Sequence, residues 1–103
     1  MLNIVIFPVN GEPEVRAITG TLKEMQEIVG GYIEAVSYGG YTLWCNEEGI
    51  MEGLPFNRYV GPHAIVGTFF VSREDNEGEM ITLNRKDIEK VKELFAQQDT
   101  DSL

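Results

Sequence analysis

Between Trp44 and His63 the sequence gathers residue types that can recognise another molecule. Trp44, Asn46, Glu47, Asn57, Arg58, Tyr59 and His63 all fall in this one stretch. Amides read the edges of a planar ring, an arginine adds one positive charge, and aromatics stack on the ring's faces. The set suits a nucleotide-like small ligand. It suits a protein interface equally, because Trp, Tyr and Arg are enriched among binding hot spots. A third reading is architectural. Asparagine side chains commonly tie down turn backbone, and tryptophan is ordinary core material.

Catalytic patterns are harder to find. Cys45 and His63 are the sole thiol and imidazole. Only Trp44 and Asn57 lie near them in sequence to orient the base, as nucleophilic catalysis requires. Cys45 follows Leu43 and Trp44 in an apolar run, so it reads as a small buried hydrophobe. Ser37, Ser72 and Ser102 have no nucleophile-elbow context. Glu47 and Glu48 are neighbours in a turn and point apart, which does not make an acid–base pair. Asp75 to Glu79 has the look of a calcium loop, but Met80 stands where the glycine is needed and no helix precedes it. One cysteine and one histidine exclude the usual Cys/His metal cages and any internal disulfide. Gly30-Gly31 ends a helix, whereas phosphate cradles use the start of one. No enzymatic activity, metal or cofactor is expected.

Composition narrows the class of partner. The chain has 103 residues, the size of one domain, with 43% apolar and 24% charged residues, which is ordinary globular make-up. Seventeen acids against eight bases give a net charge of -9. A direct nucleic-acid binder carries a basic patch, and none is visible. Mimicry of DNA by an acidic surface remains a minor alternative. Lys86 and Lys90 are interleaved with the acids of the last helix, and solubility alone explains such a charge. The first residues show neither a basic region before an apolar run nor a cleavage site, and the run is too short to span a bilayer. A cytoplasmic, reducing setting without membrane contact is expected.

The elements that position these residues follow from periodicity. Residues 3–9 are nearly all apolar, the pattern of a strand buried on both faces. Asn10-Gly11 marks a hairpin turn, and Glu14 to Ile18 returns behind Pro13. Thr21 and Glu24 have capping-box spacing, and Leu22, Met25, Ile28 and Val29 recur at helical spacing up to Gly30-Gly31. Tyr32–Tyr38 and Tyr41–Cys45 read as paired strands about Gly39-Gly40. A very short strand is expected at Ile50-Met51. Two glycines and two prolines in 53–63 predict a structured loop. Ala64 to Ser72 reads as one apolar strand, Met80 to Leu83 as a short edge strand. The last helix starts at Asn84, capped with Asp87, and carries the stripe Ile88, Val91, Leu94 and Phe95. The order predicts an α+β fold: an antiparallel or mixed sheet of about five to seven strands, with two helices on one face. Residues 1–98 form the single domain and 99–103 a frayed tail.

Four blocks carry a family resemblance: Gly31 to Val36, Asn46 to Gly49, Leu54 to Arg58, and Ile65 to Thr68. In order and spacing they resemble domain of unknown function 3846, across about residues 3 to 72. The resemblance implies that Asn46, Glu47, Gly49, Pro55, Asn57, Gly67 and Thr68 carry the family pattern. It implies a setting in bacteria, phages or mobile elements, and brings no activity with it. The leading expectation is a non-enzymatic accessory domain that binds a protein partner through residues 44–63 or the flank of its last helix. Self-association as a homodimer is one form of it, since open sheet edges can pair. The alternative is a small-ligand domain using Asn46, Asn57, Arg58 and an aromatic.

Overall fold

The computed structural model describes residues 1–97; the tail expected at 99–103 lies outside them. In chain order the elements are β1 (Leu2–Phe7), β2 (Glu14–Ile18), α1 (Leu22–Val29), β3 (Ile33–Tyr38), β4 (Tyr41–Asn46), β5 (Phe56–Val60), β6 (His63–Val66), β7 (Phe69–Glu74), β8 (Met80–Ile81) and α2 (Arg85–Leu94). The main sheet has six strands in the order β2-β1-β7-β4-β3, with β8 paired to β7; β5 and β6 form a separate two-stranded sheet. Every pairing is antiparallel. The α+β class therefore holds.

The two helices do not share a face. Alternate residues of β1 and β7 point into two different cores. Ile4, Ile6 and Phe70 pack with Ile18 and with Met25 and Val29 of α1. Val5, Phe7, Phe69 and Val71 pack with Leu43, with Val91 and Phe95 of α2, and with Val60 and Ile65 of the small hairpin. The physical reason lies in β1 and β7 themselves. Ile4 to Phe7 and Phe69 to Ser72 are buried at every position, so both faces of the central strands need cover. One helix covers one face, and the other helix and the hairpin share the second.

Two further differences concern glycine and proline. The stretch 53–63 contains β5, entered just after Pro55, and ends in a Gly61-Pro62 turn that opens β6. Proline at a strand boundary leaves the ladder intact. The apolar run from Ala64 to Ser72 is broken in two at Gly67, whose φ of +75° suits glycine. Ile50-Met51 sits in a turn, not a strand, and Leu22 of the α1 stripe is exposed.

Both helix starts are capped. Thr21 Oγ1 accepts from the Glu24 amide, while the Glu24 carboxylate accepts from the amides of Thr19 and Gly20 and from the Thr19 hydroxyl. Asn84 and Asp87 form a full reciprocal capping box. Asp87 also accepts from the Tyr41 hydroxyl at 3.0 Å and from Arg73 at 2.9 Å. Burial pushes its carboxyl up, but the Asn84 amide, Arg73 and Tyr41 together outweigh that and hold it below the usual carboxylate value. Asp87→Ala is expected to lower the unfolding free energy by about 1–2 kcal/mol near neutral pH. An acid held below its ordinary pKa stabilises above the unfolded value, and the contribution fades as pH falls through the folded one. The gap between wild type and variant in urea unfolding should therefore narrow below about pH 4; a gap that stays constant on acidification would contradict this role.

Candidate functional site

The polar residues of the 44–63 stretch turn inward. Asn46, Asn57 and Arg58 are only 5%, 5% and 6% exposed. A bulge at the start of β5 makes this possible. The register shifts between Phe56 and Arg58, so Asn57 and Arg58 are both buried although adjacent. Asn57 Nδ2 donates to the carbonyls of Phe7 and Gly67, each at 2.9 Å. Its Oδ1 accepts from Arg58 Nε at 2.8 Å. Arg58 also donates to the Phe95 carbonyl at the end of α2, at 3.0 Å. The guanidinium lies over the rings of Phe7 and Phe69, at 5.1 and 5.7 Å, which stack on each other at 4.9 Å. Burial lowers the Arg58 pKa from its usual value.

Asn46 braces a different place. Its Oδ1 accepts from the Glu48 amide at 2.8 Å, an Asx-type turn, and its Nδ2 reaches the Val29 carbonyl at the end of α1 at 3.4 Å. Asn46 and Asn57 share no partner. Trp44 stands on the α1 face, stacked against Phe70, with its indole N–H donated to Ser72 Oγ at 2.8 Å. It lies across the sheet from the hairpin, so the structure does not bring it to Tyr59 or His63. Only Glu47, Tyr59 and His63 of the expected set are exposed.

What the segment turns outward is apolar. Ile50 and Met51, on the turn after β4, are 78% and 88% exposed. Phe56 and Tyr59, half exposed, meet edge to face on β5 at 5.1 Å. The two groups flank β6: Val66 pairs opposite Phe56 and lines one groove with Ile50 and Met51. Sequence reasoning passed over Ile50, Met51, Phe56 and Glu34. The legible signal was two large apolar residues set in a turn otherwise made of glutamates and glycine.

The groove holds about 340 Å³. Val36, Cys45 and Ile65 line its apolar part, and Glu34, Glu47 and His63 supply titratable groups. Burial pushes the Cys45 thiol up to about 11, with the Glu34 carboxylate adding to the shift. A thiol raised this far is almost wholly protonated at neutral pH and is a poor nucleophile. No group of three or more His, Cys, Asp or Glu side chains among the described residues could hold a metal ion. A second concavity of about 410 Å³ lies beside the end of α1, against Pro8, Pro55, Gly67 and Thr68. Among the described residues no helix is long and apolar enough to cross a membrane.

By fold and site the chain is a small α+β domain whose motif residues brace a hairpin against a sheet. The family described as domain of unknown function (DUF3846) matches it over residues 1–96, and the chain belongs to that family. No curated protein and no solved structure matches it. Of the residues that carry the resemblance, Gly49 pairs with Asn46 and Gly67 with Pro55 through the backbone, and the Asn57 side chain donates to the Gly67 carbonyl. Gly49 N–H donates to Asn46, and Gly67 N–H donates to Pro55 at 2.7 Å.

Two expected outcomes follow. Asn57→Ala leaves two carbonyls and the Arg58 Nε–H without their partner, which costs on the order of 2–4 kcal/mol. Arg58→Ala costs a similar amount, and the double variant loses clearly less than the sum when measured by urea unfolding; strict additivity would mean the pair does not act as a unit. Iodoacetamide at about pH 8 should leave Cys45 unmodified in the folded protein and label it in urea. Rapid labelling under native conditions would contradict the buried, protonated thiol.

Proposed function

We propose that this domain is a non-catalytic accessory module that binds another protein through the side of the β5–β6 hairpin and the adjoining 47–53 turn. One observation carries the reading. Ile50, Met51, Phe56 and Tyr59 stand exposed on a segment whose buried polar side chains, Asn46, Asn57 and Arg58, are occupied in bracing its backbone. Large apolar side chains gathered on a surface mark interaction sites, and a preorganised surface loses little entropy when it binds. Tyr59 and Phe56 provide the aromatic anchors, and Glu47 and His63 line the groove with Ile50 and Met51 as polar neighbours.

Chemistry at this site has little support. The thiol stays protonated, and among the described residues the groove holds no base with an orienting partner. The nucleotide-like alternative loses the donors that favoured it, because the amides of Asn46 and Asn57 and the Arg58 guanidinium already bond the backbone. An accessory role in a phage or mobile element fits a small, acidic α+β domain and belongs to the same proposal.

The test is affinity capture with mass-spectrometric identification, beside light scattering of the purified protein. The wild type is expected to retain one defined protein partner. Ile50→Ser with Met51→Ser should abolish capture, with a melting temperature within about 2 °C of wild type, because exposed positions contribute little to stability. A monomer that captures nothing, or capture indifferent to these substitutions and to Tyr59→Ser, would overturn the proposal.

A further inference from the structure

One wall of the groove differs in kind from the rest. His63, Ala64, Ile65 and Val66 are consecutive along β6, and all four line it. Residues that share a strand's face alternate, whereas consecutive ones share its edge. The sheet contributes in the first way: Glu34 and Val36 of β3, and Cys45 paired opposite Glu34 on β4. The groove thus has a sheet face for its floor and a strand edge for its wall.

That edge is free. β6 pairs with β5 alone, and no other hydrogen bond to 63–66 occurs among the described residues. The loop between Val60 and His63 has two residues, which makes these flanking residues a hydrogen-bonded pair. The backbone groups of Ala64 and Val66 therefore point away from β5, toward the groove. An unpaired edge is a template for a further strand.

Charge says what the strand carries. Glu34 and Glu47 line the groove on a chain of net charge -9. A cationic segment is attracted and an acidic one repelled. The chain's own last residues include Asp99 and Asp101 and have the wrong sign. A second copy of so acidic a chain is disfavoured for the same reason. Ile50, Met51, Val36 and Ile65 provide apolar surface beside the carboxylates, which suits a segment alternating basic and apolar residues.

We infer that the groove receives an extended segment of a partner protein, added to the outer edge of β6 as a third strand, with its lysine or arginine directed at Glu34 and Glu47. This is the β-augmentation mode of peptide recognition, and it rests on the protein-binding reading above. Main-chain bonds to Ala64 and Val66 give the affinity, and the carboxylates with Ile50 and Met51 choose the sequence.

The probe is a fluorescein-labelled peptide, Thr-Val-Lys-Val-Arg-Val-Thr, followed by anisotropy at low and high salt. An analogue with glutamates for the Lys and Arg, and one with alternate backbone amides N-methylated, serve as controls. The basic peptide is expected to bind, more weakly in high salt, and each control at least tenfold more weakly. Ala64→Pro removes an outward N–H while sparing the β5 ladder, and should weaken binding at least tenfold. Glu34→Lys with Glu47→Lys alters exposed side chains only, and should do the same if the proline variant fails to fold. Equal binding of the basic and acidic peptides, or affinity unchanged in the charge-reversed variant, overturns the inference. If no peptide binds but partner capture still depends on Ile50 and Met51, strand addition fails and the protein-binding reading stands. If both are lost, both fail.

Discussion

A cation in the interior sets the terms for this fold. Arg58 is almost fully buried, and a buried guanidinium is tolerated only where its N–H groups find acceptors and its faces find aromatic rings. Those partners come from far along the chain: Phe7 at the end of β1, Phe69 at the start of β7, Phe95 at the end of α2, and Asn57 beside it. Asn57 in turn ties Phe7 to Gly67. The hairpin cannot shift without breaking bonds to β1, to the turn before β7 and to α2 together. The same arrangement fixes α2 at both ends. Asp87 puts a carboxylate at its N-terminus and Arg58 puts a cation on its last carbonyl, the signs its dipole favours.

Much of the architecture was legible in local pattern. The β1–β2 hairpin, both helices with their caps, and the β3–β4 pair follow from periodicity and turn chemistry. The hairpin of β5 and β6 did not, because counting Gly and Pro ignores where they stand. Pro55 sits before β5, Gly61-Pro62 between the strands, and Gly67 after β6, so each punctuates an element and none interrupts it. The helix placement was legible yet misjudged. Uninterrupted apolar runs at 4–7 and 69–71 already require cover on two faces, and the order of elements said less than those runs.

The site shows an inversion that local sequence cannot express. Asn46, Asn57 and Arg58 have the types of a recognition surface and are consumed by backbone, while Ile50, Met51 and Phe56 have the types of a core and face outward. The cause is the irregular backbone. A segment with a bulge, two tight turns and a strand break leaves many peptide groups outside regular ladders, and buried ones need partners. Side-chain amides supply them. Whether an asparagine meets solvent or a carbonyl 50 positions away depends on long-range packing, which no window of neighbouring residues contains.

The central place of β7 also governs how the molecule assembles. The β1–β2 and β3–β4 hairpins are local, but they meet only through residues 69–72, which pair Phe7 with Phe69 on one side and Thr42 with Ser72 on the other. β7 follows both hairpins, about two-thirds of the way along the chain, so each hairpin lacks the neighbour of its inner edge until residues 69–72 join them. Closure waits for a keystone strand that arrives late, and the loop-closure entropy of bridging so many residues slows that step. In that interval nascent chains are most exposed to pairing with one another. The order of strands along the chain, and not only the stability of the finished sheet, therefore bears on how open this molecule is to such pairing.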